Sequence, residues 1–237
     1  MAICTEDRIH SRHLGREMEF YWFGNRGRLL VMLPTSAGRH NEVVDFKLVA
    51  SVEDKIDRGE LQVCCLDSIN RDSWADDNLD SMEKLRRHDL YDRFLHEEFF
   101  PYANHRSGRS DAILFGASLG GWQAATFGAR HPESLGRVIA FSGFFDIRQL
   151  IKDTWNEACY FYSPSDFVAN MDGAWVERLS RLGWVIATGE QDTLVDQTRN
   201  FSRVLRQKGI PVHEEVWGGV FGHDWPFWRE HLPRFVP

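Results

Sequence analysis

A serine in a glycine-rich turn is the residue of this sequence best placed to act as a nucleophile. The segment 113–121 reads ILFGASLGG, so Ser118 has a glycine two positions away on either side. The apolar run before it predicts a buried strand and the small residues after it predict a helix, which is the context of a nucleophile elbow. Such a sharp turn leaves no room for a Cβ atom at Gly116 or Gly120. The serine hydroxyl would then lie at a helix N-terminus that favours negative charge, although a serine that only caps the helix would give the same pattern.

Two loops later in the chain carry a carboxylate and a histidine that could activate this serine. A serine hydroxyl is a poor nucleophile at neutral pH and needs a base, which needs an orienting carboxylate. In parallel sheets the reactive groups lie at the carboxyl ends of strands, and after an elbow serine they follow in the order acid, then histidine. Asp192 follows the predicted strand 183–188, and His223 follows the last predicted strand. We therefore predict Asp192 as the acid and His223 as the base.

Other side chains compete for these two roles. Asp146 follows the strand before the acid loop and could also reach a histidine, and Glu190 and Asp196 are close to Asp192 in sequence. Asp192 could also serve as the cap of the helix that follows it, a role that is compatible with catalysis. Of the remaining histidines, only His40 lies in a glycine-containing loop after a strand, and it precedes the serine, which breaks the chain order.

Two backbone amides are needed to stabilise the oxyanion that forms when a serine attacks a carbonyl group. The Leu119 amide, directly after the nucleophile, supplies one by the geometry of the elbow. The second should come from the small-residue loop after the predicted strand 28–33. We choose Ser36, and its neighbours Thr35 and Ala37 remain alternatives. The composition of this loop is equally consistent with a plain strand-to-helix turn.

The predicted elements alternate between strands and helices. Strands are predicted at 18–22, 28–33, 61–66, 112–115, 137–142, 183–188 and 212–217, and helices at 41–58, 81–100 and 193–209, besides the helix after the elbow. The turn 24–27 predicts an antiparallel hairpin between the first two strands, and Pro101 predicts the end of the second helix. The alternation predicts one α/β domain over 1–237, with a mostly parallel sheet, helices on both faces and the last strand at an edge.

Composition excludes several other classes of protein. A net charge of −7 and a pI near 5.8 argue against a nucleic-acid partner. No apolar run is long enough to span a bilayer, and the first sixteen residues do not resemble a secretory signal. Cys64 and Cys65 are neighbours in an apolar run, which is typical of buried thiols, and no spacing suggests a metal site. We therefore expect a cytoplasmic protein without a metal; a homo-oligomer is compatible with the sequence.

Four segments together resemble the putative-esterase family of α/β-hydrolases. They read LPTSAGR at 33–39, GASLGG at 116–121, GEQD at 189–192 and GHDWPFW at 222–228. The family includes S-formylglutathione hydrolase (esterase D), feruloyl esterases and mycolyltransferases, and the resemblance covers the chain from residue 17 onward. It implies an α/β-hydrolase fold and hydrolysis of small-molecule carboxylic esters without a cofactor, through an acyl-enzyme on a Ser118–Asp192–His223 triad. It also places the second oxyanion donor at Ser36, where LPTS replaces the more usual Leu-His-Gly-x.

Aromatic side chains around these motifs could form the substrate pocket. The segment 148–181 is predicted as a small aromatic-rich insertion that flanks the pocket and is too short for a large lid. We predict substrate contacts for Trp74, Trp155, Phe221 and Trp225, each of which could instead be a core residue. Two other functions use the same fold: an acyltransferase with the same triad, and a non-catalytic binding protein, which commonly lacks a triad residue.

Overall fold

One twisted sheet runs through the computed structural model, which describes residues 4–151, 155–219 and 222–237. Within these residues eight strands lie in the order β1-β2-β4-β3-β5-β6-β7-β8. They are β1 (Cys4–Ser11), β2 (Arg16–Phe23), β3 (Arg28–Met32), β4 (Leu61–Leu66), β5 (Ile113–Ala117), β6 (Arg137–Phe141), β7 (Gly183–Gly189) and β8 (Val212–Trp217). From β4 through β8 all neighbours pair in parallel, whereas β1 and β2 are antiparallel. The predicted α/β class and mostly parallel sheet are confirmed, with β8 at one edge.

Helices cover both faces of this sheet. They are α1 (Glu42–Asp45), α2 (Glu53–Asp57), α3 (Ser81–Arg93), α4 (Phe100–Ser107), α5 (Leu119–Arg130), α6 (Glu157–Tyr160), α7 (Pro164–Phe167), α8 (Gly173–Ser180), α9 (Val195–Gln207) and α10 (Trp225–His231). Alternate side chains of β3 enter two separate cores, with Leu29 and Val31 on the face of α3, α5 and α9, and Leu30 and Met32 on the face of α1, α2 and α10. None of the helices in the described ranges is both long and apolar enough to cross a membrane.

The predicted hairpin between 18–22 and 28–33 is wrong. β2 pairs with β1 and β4, and β3 lies on the far side of β4, so the turn 24–27 carries the chain across a strand. The strand β3 is apolar on both faces, and such a strand is more stable in the sheet interior, where helices cover both sides. The actual hairpin partner, β1, was not predicted because its side chains are polar and almost all exposed.

Two predicted helices also differ from the structure. The helix expected at 41–58 is interrupted, because Lys47 adopts a positive φ of 61° between α1 and α2. The helix expected to end at Pro101 continues to Ser107 through a π-helical stretch, Phe94–Phe99. Pro101 lies at the second position of α4, directly after the π-helical stretch, so the widened turn accommodates the proline within a continuous helix.

Candidate active site

The elbow between β5 and α5 holds Ser118 in a strained conformation. Its φ of 57° and ψ of −122° are rare for a residue with a side chain, and such backbones cost about 1–3 kcal/mol. A Cβ atom on Gly116 would overlap the Gly120 carbonyl, and one on Gly120 would lie 2.5 Å from the carbonyl oxygen of Pro34. The structure thus agrees with the steric need for both glycines. It also brings the loop after β3 into direct contact with the elbow.

The amides of this loop differ in whether they are available to a ligand. The Thr35 amide donates to Glu42 Oε2 at 2.7 Å, and the Thr35 hydroxyl donates to Glu42 Oε1 at 2.8 Å. In contrast, the amides of Ser36, Ala37 and Leu119 have no acceptor among the residues that the structure describes. Thr35 is therefore disfavoured as the second oxyanion donor, whereas Ser36 and Ala37 stay open.

Side chains from the loop after β4 fix the carbonyl groups of the same segment. Asn70 Nδ2 donates to the Thr35 carbonyl at 2.9 Å, and Arg71 Nε donates to the Ala37 carbonyl at 2.7 Å. Asn70 is itself held from the elbow helix, because Gln123 Nε2 donates to its Oδ1 at 2.9 Å. Asn70 and Arg71 were not predicted as site residues, because a polar run directly after an apolar strand is their only signal in the sequence.

The acid and the histidine predicted for the triad form a hydrogen-bonded pair. Asp192 lies after β7 and is only 3% exposed, and its Oδ2 is 3.0 Å from His223 Nδ1. The same oxygen accepts from the Thr188 hydroxyl at 2.7 Å, and Oδ1 accepts from the Leu194 amide at 2.8 Å. Burial alone would raise the pKa of Asp192, but these three hydrogen bonds and the nearby Ser142 hydroxyl outweigh it and hold the pKa below its ordinary value. The carboxylate is therefore ionised where it meets the imidazole.

The competing carboxylate has other partners. Asp146 forms an ion pair with Arg148 Nη1 at 2.9 Å and accepts from the Arg148 amide at 2.9 Å. The loops of Asp192 and His223, in contrast, are in close contact, since a Cβ atom on Gly222 would overlap the Asp192 amide. The geometry favours Asp192 as the partner of His223.

The structure does not join the serine to the histidine. His223 makes its hydrogen bond to Asp192 through Nδ1, and its Nε2 has no hydrogen-bond partner in the described part of the chain. The side chain of His223 is 36% exposed, so Nε2 is accessible to another group. Hydrogen bonds between a nucleophile and its base are often long or absent until a substrate binds. The structure thus contains two assembled halves at the same edge of the sheet, Ser118 with the loop after β3 and Asp192 with His223.

The predicted aromatic contacts have different environments. Trp74 is buried with its ring 5.4 Å from Trp122, in the cluster that also contains Leu119. Trp155 is 41% exposed and lies under the guanidinium group of Arg148. Trp225 stacks on the exposed ring of Phe46, a residue that the sequence analysis missed. The prediction for Phe221 falls outside the described residues, and substrate contact stays a prediction for all four.

His40 lies in a separate polar cluster. It is buried, and its Nδ1 is 4.0 Å from carboxylate oxygens of Glu19 and Asp67. These three side chains could converge on a metal ion, but Arg39 already bridges the two carboxylates at 2.6 and 2.9 Å. The positive charge that the carboxylates require is therefore supplied by the protein.

A second group with metal-ligand chemistry comprises His96, His131 and Glu133. The two imidazole rings are stacked, with centroids 4.1 Å apart and planes inclined by 18°. A metal ion lies in the plane of each imidazole that binds it, so rings stacked in this way cannot share one ion without reorienting.

The comparisons with known proteins agree with this architecture. The profile of the family described as "Putative esterase" matches residues 45–237. The chain belongs to this family and is a carboxylic ester hydrolase with the α/β-hydrolase fold, which confirms the resemblance seen in the sequence. No curated protein matches the chain at a significant level.

Solved structures match the chain over nearly its whole length. A ferulic acid esterase is 20% identical with a TM-score of 0.79, covering 100% of this chain and 97% of that chain. An S-formylglutathione hydrolase from Agrobacterium tumefaciens is 16% identical with a TM-score of 0.75, covering 99% and 93%. MPT51 (FbpC1) from Mycobacterium tuberculosis is 16% identical with a TM-score of 0.72, covering 99% and 97%. At these identities the likeness shows the fold.

Proposed function

We propose that this protein hydrolyses small-molecule carboxylic esters through an acyl-enzyme on Ser118, with His223 as the base and Asp192 as its orienting acid. The observation that carries the proposal is the 3.0 Å contact between His223 Nδ1 and the buried Asp192 carboxylate, in a chain whose elbow serine comes first in the order. Because an ionised Asp192 holds the proton on Nδ1, the basic nitrogen of His223 is Nε2, the accessible one.

The reaction follows from these positions. Ser118 Oγ attacks the ester carbonyl carbon while its proton passes to His223 Nε2, and the carbonyl oxygen becomes an oxyanion. The amides of Leu119 and Ser36 stabilise this charge, and losing one such donor costs on the order of 100-fold in rate. The C–O bond to the alcohol then breaks, and the alcohol takes the proton from His223. Water repeats the sequence on the acyl-enzyme, releasing the carboxylic acid and restoring the serine. These steps require no cofactor.

Short-chain aryl esters are the substrates we propose for a first assay. The wild-type protein should hydrolyse 4-nitrophenyl acetate, and Ser118→Ala should abolish turnover without changing the thermal midpoint of unfolding. A fluorophosphonate probe should label the wild type at Ser118 and leave Ser118→Ala unlabelled. Wild-type protein that remains unlabelled and inactive, or a Ser118→Ala variant that retains turnover, would overturn the proposal.

A further inference from the structure

Behind Asp192, three side chains from separate elements form a buried hydrogen-bond chain. Trp228 Nε1, on α10, donates to Ser142 Oγ at 3.1 Å. Ser142, at the end of β6, lies 3.4 Å from Thr188 Oγ1, and the Thr188 hydroxyl donates to Asp192 Oδ2 at 2.7 Å. Ser142 and Thr188 are completely buried, and Trp228 is 3% exposed.

The direction of each proton in this chain follows from the chemistry of its groups. An indole N–H can only donate, so Ser142 Oγ is the acceptor of the first bond and its own proton points elsewhere. The single proton of Thr188 goes to the carboxylate, because an ionised carboxylate can only accept. The Ser142 proton therefore points toward Thr188 Oγ1 or the carboxylate itself. The chain of donors thus runs from Trp228 through Ser142 and Thr188 and ends at Asp192.

The backbone of Ser142 is strained to reach this position. Its φ is 49°, one of three positive values at non-glycine residues of the described chain, and another of the three is Ser118. Strain of this kind persists where the surroundings hold it, and it is concentrated at functional sites. Trp228 also touches the site directly, since its ring meets the His223 ring edge to face with centroids 5.4 Å apart.

We propose that Trp228, Ser142 and Thr188 are positioning residues that hold the Asp192 carboxylate in the orientation required by His223. The inference rests on the proposed function, because it assigns these residues to the triad. Three donors reach the two carboxylate oxygens from Leu194, Thr188 and His223. With the Leu194 amide on Oδ1 and Thr188 on Oδ2, the carboxylate cannot rotate, and Oδ2 stays aimed at Nδ1. Donors in series also polarise one another, so the effect should decrease along the chain from Thr188 to Trp228.

The test replaces the hydroxyl of Thr188 without changing its shape. Thr188→Val is nearly isosteric and should lower kcat about 10-fold with KM changed less than about 2-fold, since a hydrogen bond to a charged group is lost. Thr188→Ser keeps the hydroxyl and should recover most of the rate. The matched control is Thr198→Val, because Thr198 is equally buried and its hydroxyl has no partner among the described residues. Ser142→Ala and Trp228→Phe should give progressively smaller losses.

A pH profile separates positioning from simple structural support. Without the Thr188 donor the carboxylate holds a proton more tightly and carries more charge toward the imidazole. The first effect raises the pKa of Asp192 in the variant, because the Thr188 hydrogen bond helps to hold that pKa low in the wild type. The acidic limb of the kcat/KM profile should therefore move to higher pH in Thr188→Val and stay in place in Thr188→Ser and Thr198→Val. The low-field proton resonance of the His223–Asp192 hydrogen bond should shift in Thr188→Val and stay in place in Thr188→Ser and Thr198→Val.

The outcomes are distinguishable from failure of the proposed function. If the fluorophosphonate probe does not label Ser118 in the wild type, the triad is wrong and the inference falls with it. If labelling occurs but Thr188→Val matches Thr198→Val in rate, pH limb and proton resonance, the triad stands and the positioning role is overturned. If Thr188→Val does not fold, Ser142→Ala is measured in its place. A Ser142→Ala variant with unchanged kcat and an unchanged proton resonance would then contradict the positioning role.

Discussion

The two halves of the candidate site are built in different ways. In the nucleophile half, Ser118 is fixed by its backbone, because glycines allow the elbow to touch the loop 34–38 and a strand-end hydrogen bond holds the serine amide. Side chains of Glu42, Asn70 and Arg71 hold the backbone of the loop. The histidine half, Asp192 with His223, is fixed mainly by side-chain hydrogen bonds to buried polar groups. Substitutions in the first half should therefore act through the position of the backbone, and those in the second through charge and proton position.

The side chains packed around the two halves also differ in polarity. An aromatic cluster with Trp122 and Trp74 packs against Leu119 in the nucleophile half. Behind Asp192, in contrast, lie the hydroxyls of Thr188 and Ser142. The backbone around the serine carries no charge, so apolar packing can surround it. A carboxylate that must stay ionised in a buried position needs donors.

The largest loss of kcat should come from removing Ser118 or His223, one residue from each half, singly and together. Ser118→Ala and His223→Ala should each lower kcat by about 10⁵–10⁶-fold, and the double variant should be little worse, because residues that act as a unit are not additive. His213→Ala, an exposed histidine on β8, is the control and should keep its activity. Steady-state kinetics on 4-nitrophenyl acetate measures all four; multiplicative losses in the double variant would mean that the two residues act independently.

Removing the negative charge of Asp192 should lower kcat less than removing Ser118 or His223. Asp192→Asn leaves the shape but favours the wrong imidazole tautomer, and we expect a loss in kcat of about 10³–10⁴-fold. The matched variant Asp146→Asn changes the competing carboxylate, whose partner is Arg148, and should stay within about 2-fold of wild type. The same ester assay decides between them, and the reverse order of losses would assign the acid to Asp146.

Loosening the loop in the nucleophile half should have a moderate effect. Glu42→Ala removes both hydrogen bonds to Thr35, so the amides of the loop lose their fixed position. We expect kcat to fall about 10-fold, less than for deleting a donor outright. Asp45→Ala, on the same short helix, is the control. Equal rates for the two variants would show that Glu42 does not hold the oxyanion loop.

The smallest effect on activity should come from a substitution of His88 in the aromatic cluster around Trp122. This substitution should change the free energy of unfolding instead. His88 is buried and stacked on Trp122, and burial lowers its pKa to about 4. The unfolded chain takes up this proton below a pKa of about 6.5, so the free energy of unfolding should fall by roughly 3 kcal/mol between pH 6.5 and pH 4. His88→Phe should remove that part of the acid loss and keep activity at pH 8.

Urea unfolding at pH 7.5 and pH 4.5 measures this difference, with the exposed His105→Asn as the control. The wild type and the control should lose more stability on acidification than His88→Phe. An equal loss in all three proteins would show that His88 is not held neutral by the fold.

Local motifs explain what the sequence predicted well. The elbow is encoded within nine consecutive residues, because the requirement for glycine on either side of Ser118 is steric and local. Buried parallel strands are likewise visible as short apolar runs. Asp192 and His223, which the structure joins by a hydrogen bond, were selected because the chain order restricts the acid and the base to two loops; their catalytic roles stay a prediction.

Interactions between distant segments explain what the sequence could not predict. Trp228 and Ser142 are 86 residues apart, and no local pattern marks either as a partner of Asp192. The pairing of β2 with β4 instead of β3 depends on which strand gains most from burial on both faces, a property of the whole sheet. The exposed strand β1 has no run of apolar residues, since Ile9 is isolated among polar side chains.

A covalent acyl group on Ser118 is the most direct sign that the two halves work together. Rapid-quench mass spectrometry of the wild type with 4-nitrophenyl acetate should show a burst of nitrophenol and one acetyl group per chain, located by peptide mapping on Ser118. The acetyl group should be absent in Ser118→Ala and should form far more slowly in His223→Ala. Turnover of the ester with the acetyl group on another residue, or acylation of Ser118 that is as fast without His223, would contradict the account.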